Sequence, residues 1–149
     1  MKSEFIDNPG DRRNTASMTT ETDNRSIVEQ ALAQLIATGD VEALEPLLSD
    51  DFVHHRSDGT SSTKAVWLAA VRAVPLADLR VEVHHVLADG DHVMMHSRRW
   101  IPGAGPGIAG VDIWRLVDGL IVEGWEIIEP VADAAAHVVW WEEAALNGN

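Results

Sequence analysis

Residues 111–130 hold two β-rich runs that meet at Asp118-Gly119. Both central positions of a two-residue hairpin need positive φ, which Asp-Gly supplies cheaply, so the stretch is predicted to be a tight antiparallel hairpin closed by Pro130. Strand side chains alternate. Asp112, Trp114 and Leu116 therefore share one face, while Val111, Ile113, Arg115 and Val117 take the other. A carboxyl group thus lies beside a large aromatic ring. If that face is the interior, Asp112 loses water and its proton affinity rises, making it an acid or base usable near neutral pH. If it is the surface, Asp112 is simply solvated.

Two further alternating runs precede this hairpin and turn at Asp89-Gly90. In the second, His92, Met94, His96, Arg98 and Trp100 oppose Val93, Met95, Ser97, Arg99 and Ile101, and neither set is clearly the core face. The breaker-rich loop 102–107 then leads into the Asp112 strand. Upstream, Ile27, Val28, Ala31, Leu32, Leu35 and Ile36 recur at helical spacing, with Gly39 as the C-terminal cap. Asp40 caps a short helix through Val41, Leu44, Leu47 and Leu48, weakened by Pro46. Phe52-Val53-His54-His55 reads as a short strand. A third helix groups Val66, Trp67, Ala70, Val71 and Val74 on one face, and residues 131–146 are a further helix candidate. Helices followed by antiparallel strands give an α+β order in which helices cover one face of a curved sheet and enclose a pocket. Residues 1–23 present no apolar face and are expected to be a disordered tail, leaving residues 24–149 as one domain.

The formal charge of −13 over 149 residues disfavours nucleic acid and anionic membrane as partners. No run approaches the roughly 20 apolar residues of a membrane span, and the polar start has no apolar signal core, so a cytoplasmic protein is expected. Cysteine and tyrosine are absent, which removes thiolate ligands, a cysteine nucleophile and phenolic donors. Adjacent strand residues face opposite ways, so His54-His55 and His84-His85 each offer at most one ligand to a site, and no metal is expected. Trp67, Trp100, Trp114 and Trp125 are candidates for core or pocket wall.

The hairpin Val111-Asp112-Ile113-Trp114-Arg115-Leu116 through Gly124-Trp125-Glu126, with His96-Ser97-Arg98 and Phe52-Val53-His54-His55 before it, resembles the SnoaL-like polyketide cyclase branch of the nuclear transport factor 2-like superfamily. The resemblance covers roughly residues 25–131. It implies a cone-shaped α+β barrel of curved, mainly antiparallel sheet, covered by N-terminal helices around a hydrophobic pocket. It also implies a homodimer with neither metal nor organic cofactor. By the same resemblance Asp112 is the general acid/base and His96 helps to hold the substrate, while His55 and the tryptophans Trp67, Trp100, Trp114 and Trp125 contact it. Where relatives often have His-Trp-Asp, this chain has Gly124-Trp125-Glu126. The limonene epoxide hydrolase type needs an Asp-Arg-Asp set with one acid near the position of Ile127, which carries none; the ketosteroid isomerase type relies on a tyrosine that is absent. The expected activity is cofactor-independent acid/base chemistry, an aldol-type cyclisation or isomerisation, on a small hydrophobic carbonyl compound. A non-catalytic small-molecule-binding domain and an epoxide hydrolase with a rearranged site are the alternatives.

Overall fold

The computed structural model describes residues 9–142, with side chains described from Thr20 onward. Its first element, α1 (Pro9–Thr38), buries Val28 and Ala31 and sets Ile27, Leu32 and Leu35 against the same core, as the apolar period predicts. The helix begins well before that period. Residues 1–8 lie outside the described residues, but residues 9–23, expected as tail, are the first half of α1. Near the middle of α1 the contacts are polar as well as apolar: Asn24 is buried, and the Glu21 carboxylate accepts a hydrogen bond of 2.8 Å from the Gly90 amide.

Gly39 ends α1 at φ +65°, its amide donating to the Leu35 carbonyl at 2.8 Å. Asp40 then caps as expected, accepting from the Glu42 amide at 2.9 Å. The helix predicted behind it is instead two 3-10 turns, Val41–Ala43 and Glu45–Leu47. Pro46 lacks the N–H that would continue the first turn, so the second restarts around it. There follow β1 (Leu48–Arg56), β2 (Ser61–Thr63), α2 (Lys64–Arg72), β3 (Arg80–Asp89), β4 (His92–Trp100), β5 (Ile108–Val117) and β6 (Leu120–Pro130). Thr63 caps α2 by accepting from the Val66 amide. The buried face of α2 is set by Leu68 with Trp67 and Val71, whereas Val66, expected inward, is exposed.

The strands form one curved, open sheet in the order β2-β1-β6-β5-β4-β3. Strands β3 to β6 are an antiparallel meander, and the β5–β6 turn takes positive φ at both Asp118 and Gly119. Strand β1 pairs antiparallel with β2 and parallel with β6. Helices α1 and α2 pack on the inner face, where Phe52, Val93, Met95, Leu116 and Ile121 complete the core. After β6 the predicted helix is reduced to a 3-10 turn and α3 (Ala134–His137), and residues 143–149 lie outside the described residues. Val138, Trp140 and Trp141 are exposed, so no packed face supports a longer helix. Among the described residues no helix is long and apolar enough to cross a membrane.

Candidate functional site

Between α1, α2 and the inner face lies a cavity of about 490 Å³, walled by α1 residues such as Leu32 and Leu35, by Trp67 and Val71, and by Met95 and Trp114. Its polar groups are few and come from three adjacent strands. Asp112 of β5 stands opposite Met95 of β4 and Glu126 of β6. Arg99 of β4 stands opposite Ile108, four residues along β5 from Asp112. To reach the carboxylate its side chain must run back across the intervening inward position of β5, which is Gly110. A Cβ there would lie 2.9 Å from an Arg99 guanidinium nitrogen, so the absence of a side chain is what opens the path. Arg99 then donates from Nη2 to Asp112 Oδ2, from Nη1 to Glu126 Oε2 at 3.2 Å, and from Nε to Ser97 Oγ at 3.3 Å. One guanidinium is held between two carboxylates in an apolar cavity.

Asp112 is only 7 % exposed. Burial pushes its carboxyl up from the ordinary 3.8 to about 6; the Arg99 guanidinium pulls the other way, and Glu126 adds to the rise. Desolvation outweighs the ion pair, and the group carries a proton for part of the time near neutral pH. Phe52, Trp67 and Trp114 form an aromatic cluster at the far side, with ring centroids 5.2 Å apart for Phe52–Trp67 and 5.9 Å for Trp67–Trp114. Trp114 lies across Gly124, where a Cβ would stand 2.5 Å from its ring. The glycine at position 124 is thus room for a tryptophan.

Of the residues singled out in the sequence, Asp112, Trp67, Trp100 and Trp114 line this one cavity. His96, His55 and Trp125 do not. Met95 is the residue opposite Asp112, so its neighbour His96 projects from the outer face, where its Nδ1 stands 3.0 Å from that of His85. Phe52 and His54 of β1 point inward, which turns His55 outward to donate to Glu123 at 2.7 Å and stack on Trp125. The side chain that stands beside Asp112 is Arg99 rather than His96. Ile127 brings no acid to the site, but Glu126, one residue earlier, brings a carboxylate to the same guanidinium. Alternation from Leu116 through Trp114 and Asp112 to Gly110 marks the inward face of β5 in the sequence, but nothing local marks Arg99 and Glu126 as its neighbours. No group of three or more metal-ligating side chains occurs among the described residues.

A family model described as a SnoaL-like domain matches residues 28–124. A candidate ketosteroid isomerase from Kribbella flavida superposes with a TM-score of 0.65 at 19% identity, covering 74% of this chain and 81% of that one. A candidate polyketide cyclase from Streptomyces antibioticus, IdmH, gives 0.57 at 23% identity over 70% of this chain and 91% of its own. An LEH-like epoxide hydrolase from M. tuberculosis gives 0.60 at 16% identity, with 82% and 98% covered. At these identities the likeness establishes the fold. No curated protein matches by sequence.

Proposed function

The chain belongs to the SnoaL-like domain family, with the nuclear transport factor 2-like fold, and on that premise we propose that it is a cytoplasmic, cofactor-independent enzyme moving protons on a small hydrophobic carbonyl compound. The observation that carries this reading is the Asp112 carboxyl, buried in an apolar cavity and raised to about 6 beside a guanidinium. As carboxylate it takes a proton from the carbon next to the carbonyl. The C–H electron pair passes to the oxygen, and the negative charge developing there is met by Arg99 and by indole N–H groups of the wall. The carbanion then either attacks a second carbonyl of the same molecule, whose alkoxide takes the proton from Asp112, or is reprotonated at another carbon. These are aldol cyclisation and isomerisation respectively.

The test is exchange. A panel of hydrophobic ketones incubated in D₂O should acquire deuterium next to the carbonyl faster with the protein than without, and Asp112→Asn should lose that acceleration. No acceleration by the wild-type protein overturns the reading and leaves a binding domain. A second reading is favoured by the placement of Arg99 between Asp112 and Glu126: one acid activating water while another protonates an epoxide. Diol formation from an epoxide panel would select it.

The reading extends to a homodimer. On the outer face Leu87, Met94, Ile113 and Trp125 stand in register across four strands, and Leu87 and Met94 are 55% and 38% exposed. A sheet with a second apolar row needs a second cover, and another copy supplies it. Light scattering at micromolar concentration should give twice the chain mass; a monomer mass rejects the dimer.

A further inference from the structure

The imidazole of His54 has no part in the chemistry above, yet its placement is unusual. It is 2 % exposed, and neither Nδ1 nor Nε2 has a hydrogen-bond partner among the described residues. Burial holds its proton affinity below the ordinary histidine value, against the pull of Glu126, so the ring is neutral and presents one donor and one acceptor. A buried polar group left in this state is costly, and phenylalanine would fill the space without that cost. The surroundings are aromatic: Trp67 and Trp114, which both line the cavity, stand 5.4 and 6.1 Å from its centroid. His54 is therefore one ring deep behind the cavity wall. Its strand register sets it beside Gly124, two residues and about 7 Å along β6 from Glu126. Trp114 is seated over Gly124, whereas Trp67 is carried by the nine-residue α2.

We infer that His54 is a polar anchor behind the Trp67 wall of the cavity, reached when that ring turns aside, and that the natural ligand carries a second oxygen function, a hydroxyl or carbonyl, remote from the group placed at Asp112. This rests on the cavity being a small-molecule site and does not require catalysis. An apolar compound with a single oxygen leaves His54 unsatisfied; one with oxygens at both ends satisfies Asp112 and His54 together. The site thereby selects doubly oxygenated, ring-sized molecules over singly oxygenated ones of the same shape.

The experiment compares 2-naphthol with 2,6-dihydroxynaphthalene, binding being read by quenching of tryptophan fluorescence. The wild-type protein should bind the diol about tenfold more tightly, and His54→Phe should bind both equally while His54→Asn recovers part of the preference. The same His54→Phe protein should melt at a higher temperature, because it has lost two unpaired polar atoms. Absence of the preference in wild type, or its survival in His54→Phe, overturns the proposal. If His54→Phe does not fold, ¹⁵N-histidine-labelled wild-type protein decides: the His54 ring nitrogens should shift with the diol and not with 2-naphthol, and equal shifts reject the anchor. Diol preference without ketone exchange would leave this site standing and remove the catalytic reading. Exchange without the preference would do the reverse.

Discussion

Asp112 and Glu123 lie on adjacent strands of one sheet, and each has an arginine at hand: Arg99 for the first and Arg115, at 3.1 Å, for the second. Their proton affinities nevertheless move in opposite directions. Glu123 is on the outer face, where the hydrogen bond from His55 outweighs the opposing loss of water and, joined by that from Arg115, holds its carboxyl below the usual range. Asp112 is on the inner face, where loss of water outweighs the guanidinium and raises the group to about 6. A neighbouring arginine therefore does not decide the behaviour of a carboxylate. The side of the sheet does, and in a strand the side is fixed by odd or even position alone.

The largest expected difference between the two acids is catalytic. Asp112→Asn should lower deuterium exchange into a ketone by a factor on the order of 10² to 10⁴, while Glu123→Gln leaves the rate unchanged. Equal losses in the two variants would break the contrast. The second difference concerns stability and pH. The folded-state value of Asp112 lies above its unfolded value, so the folded protein holds the extra proton between about 3.8 and about 6. Its contribution is fully favourable below that window and is lost as pH rises through it, a swing of about 3 kcal/mol. Urea midpoints measured from pH 4 to 7 should show this fall in wild type relative to Asp112→Asn. Glu123, with its lowered value, contributes with the opposite sign. A parallel pH profile for wild type and Asp112→Asn would show that burial does not dominate.

A smaller effect sharpens the role of the arginine. Gly110→Ala places a methyl group against the Arg99 guanidinium and should displace it from Asp112, costing about 1–3 kcal/mol in stability. With its opposing charge withdrawn, Asp112 should rise further, so the pH profile of exchange moves to higher pH. An unmoved profile would mean that Arg99 exerts no hold on the acid. Least affected should be the stability of Glu123→Gln, within about 1 kcal/mol of wild type in chemical denaturation, because a half-buried ion pair at the sheet surface is still reached and screened by water.

How much of this was legible beforehand differs from strand to strand. Strand β5 could be read alone, since Trp114 and Leu116 identify the apolar side and carry Asp112 with them. The β5–β6 turn and the caps at Gly39 and Asp40 were equally local. Strand β4 could not, because each of its faces carries an arginine and a large apolar residue, Arg98 and Trp100 against Arg99 and Ile101, and pairing with β5 chooses between them. An error of one position there exchanges His96 for Arg99's side of the sheet. The same one-residue ambiguity separates His55 from His54 and Ile127 from Glu126. The early start of α1 is announced by no apolar periodicity, and the contact of Glu21 with Gly90, about 70 residues away, is equally invisible within the helix.

The parallel seam between β1 and β6 has a bearing on how the molecule is made. Strands β3 to β6 form from neighbours in sequence, as do β1, β2 and α2, but His54 meets Gly124 only when the final strand has been synthesised, about 70 residues later. Contacts so far apart carry the highest loop-closure cost and are slow to form. The cavity straddles that seam, with Leu48 and Trp67 on one side and Arg99, Asp112, Trp114 and Glu126 on the other. On the ribosome, or in refolding, a well-paired meander therefore exists before there is a place for a ligand. The ability to bind arrives with the last docking event, so a bound molecule favours the joined halves and slows their parting.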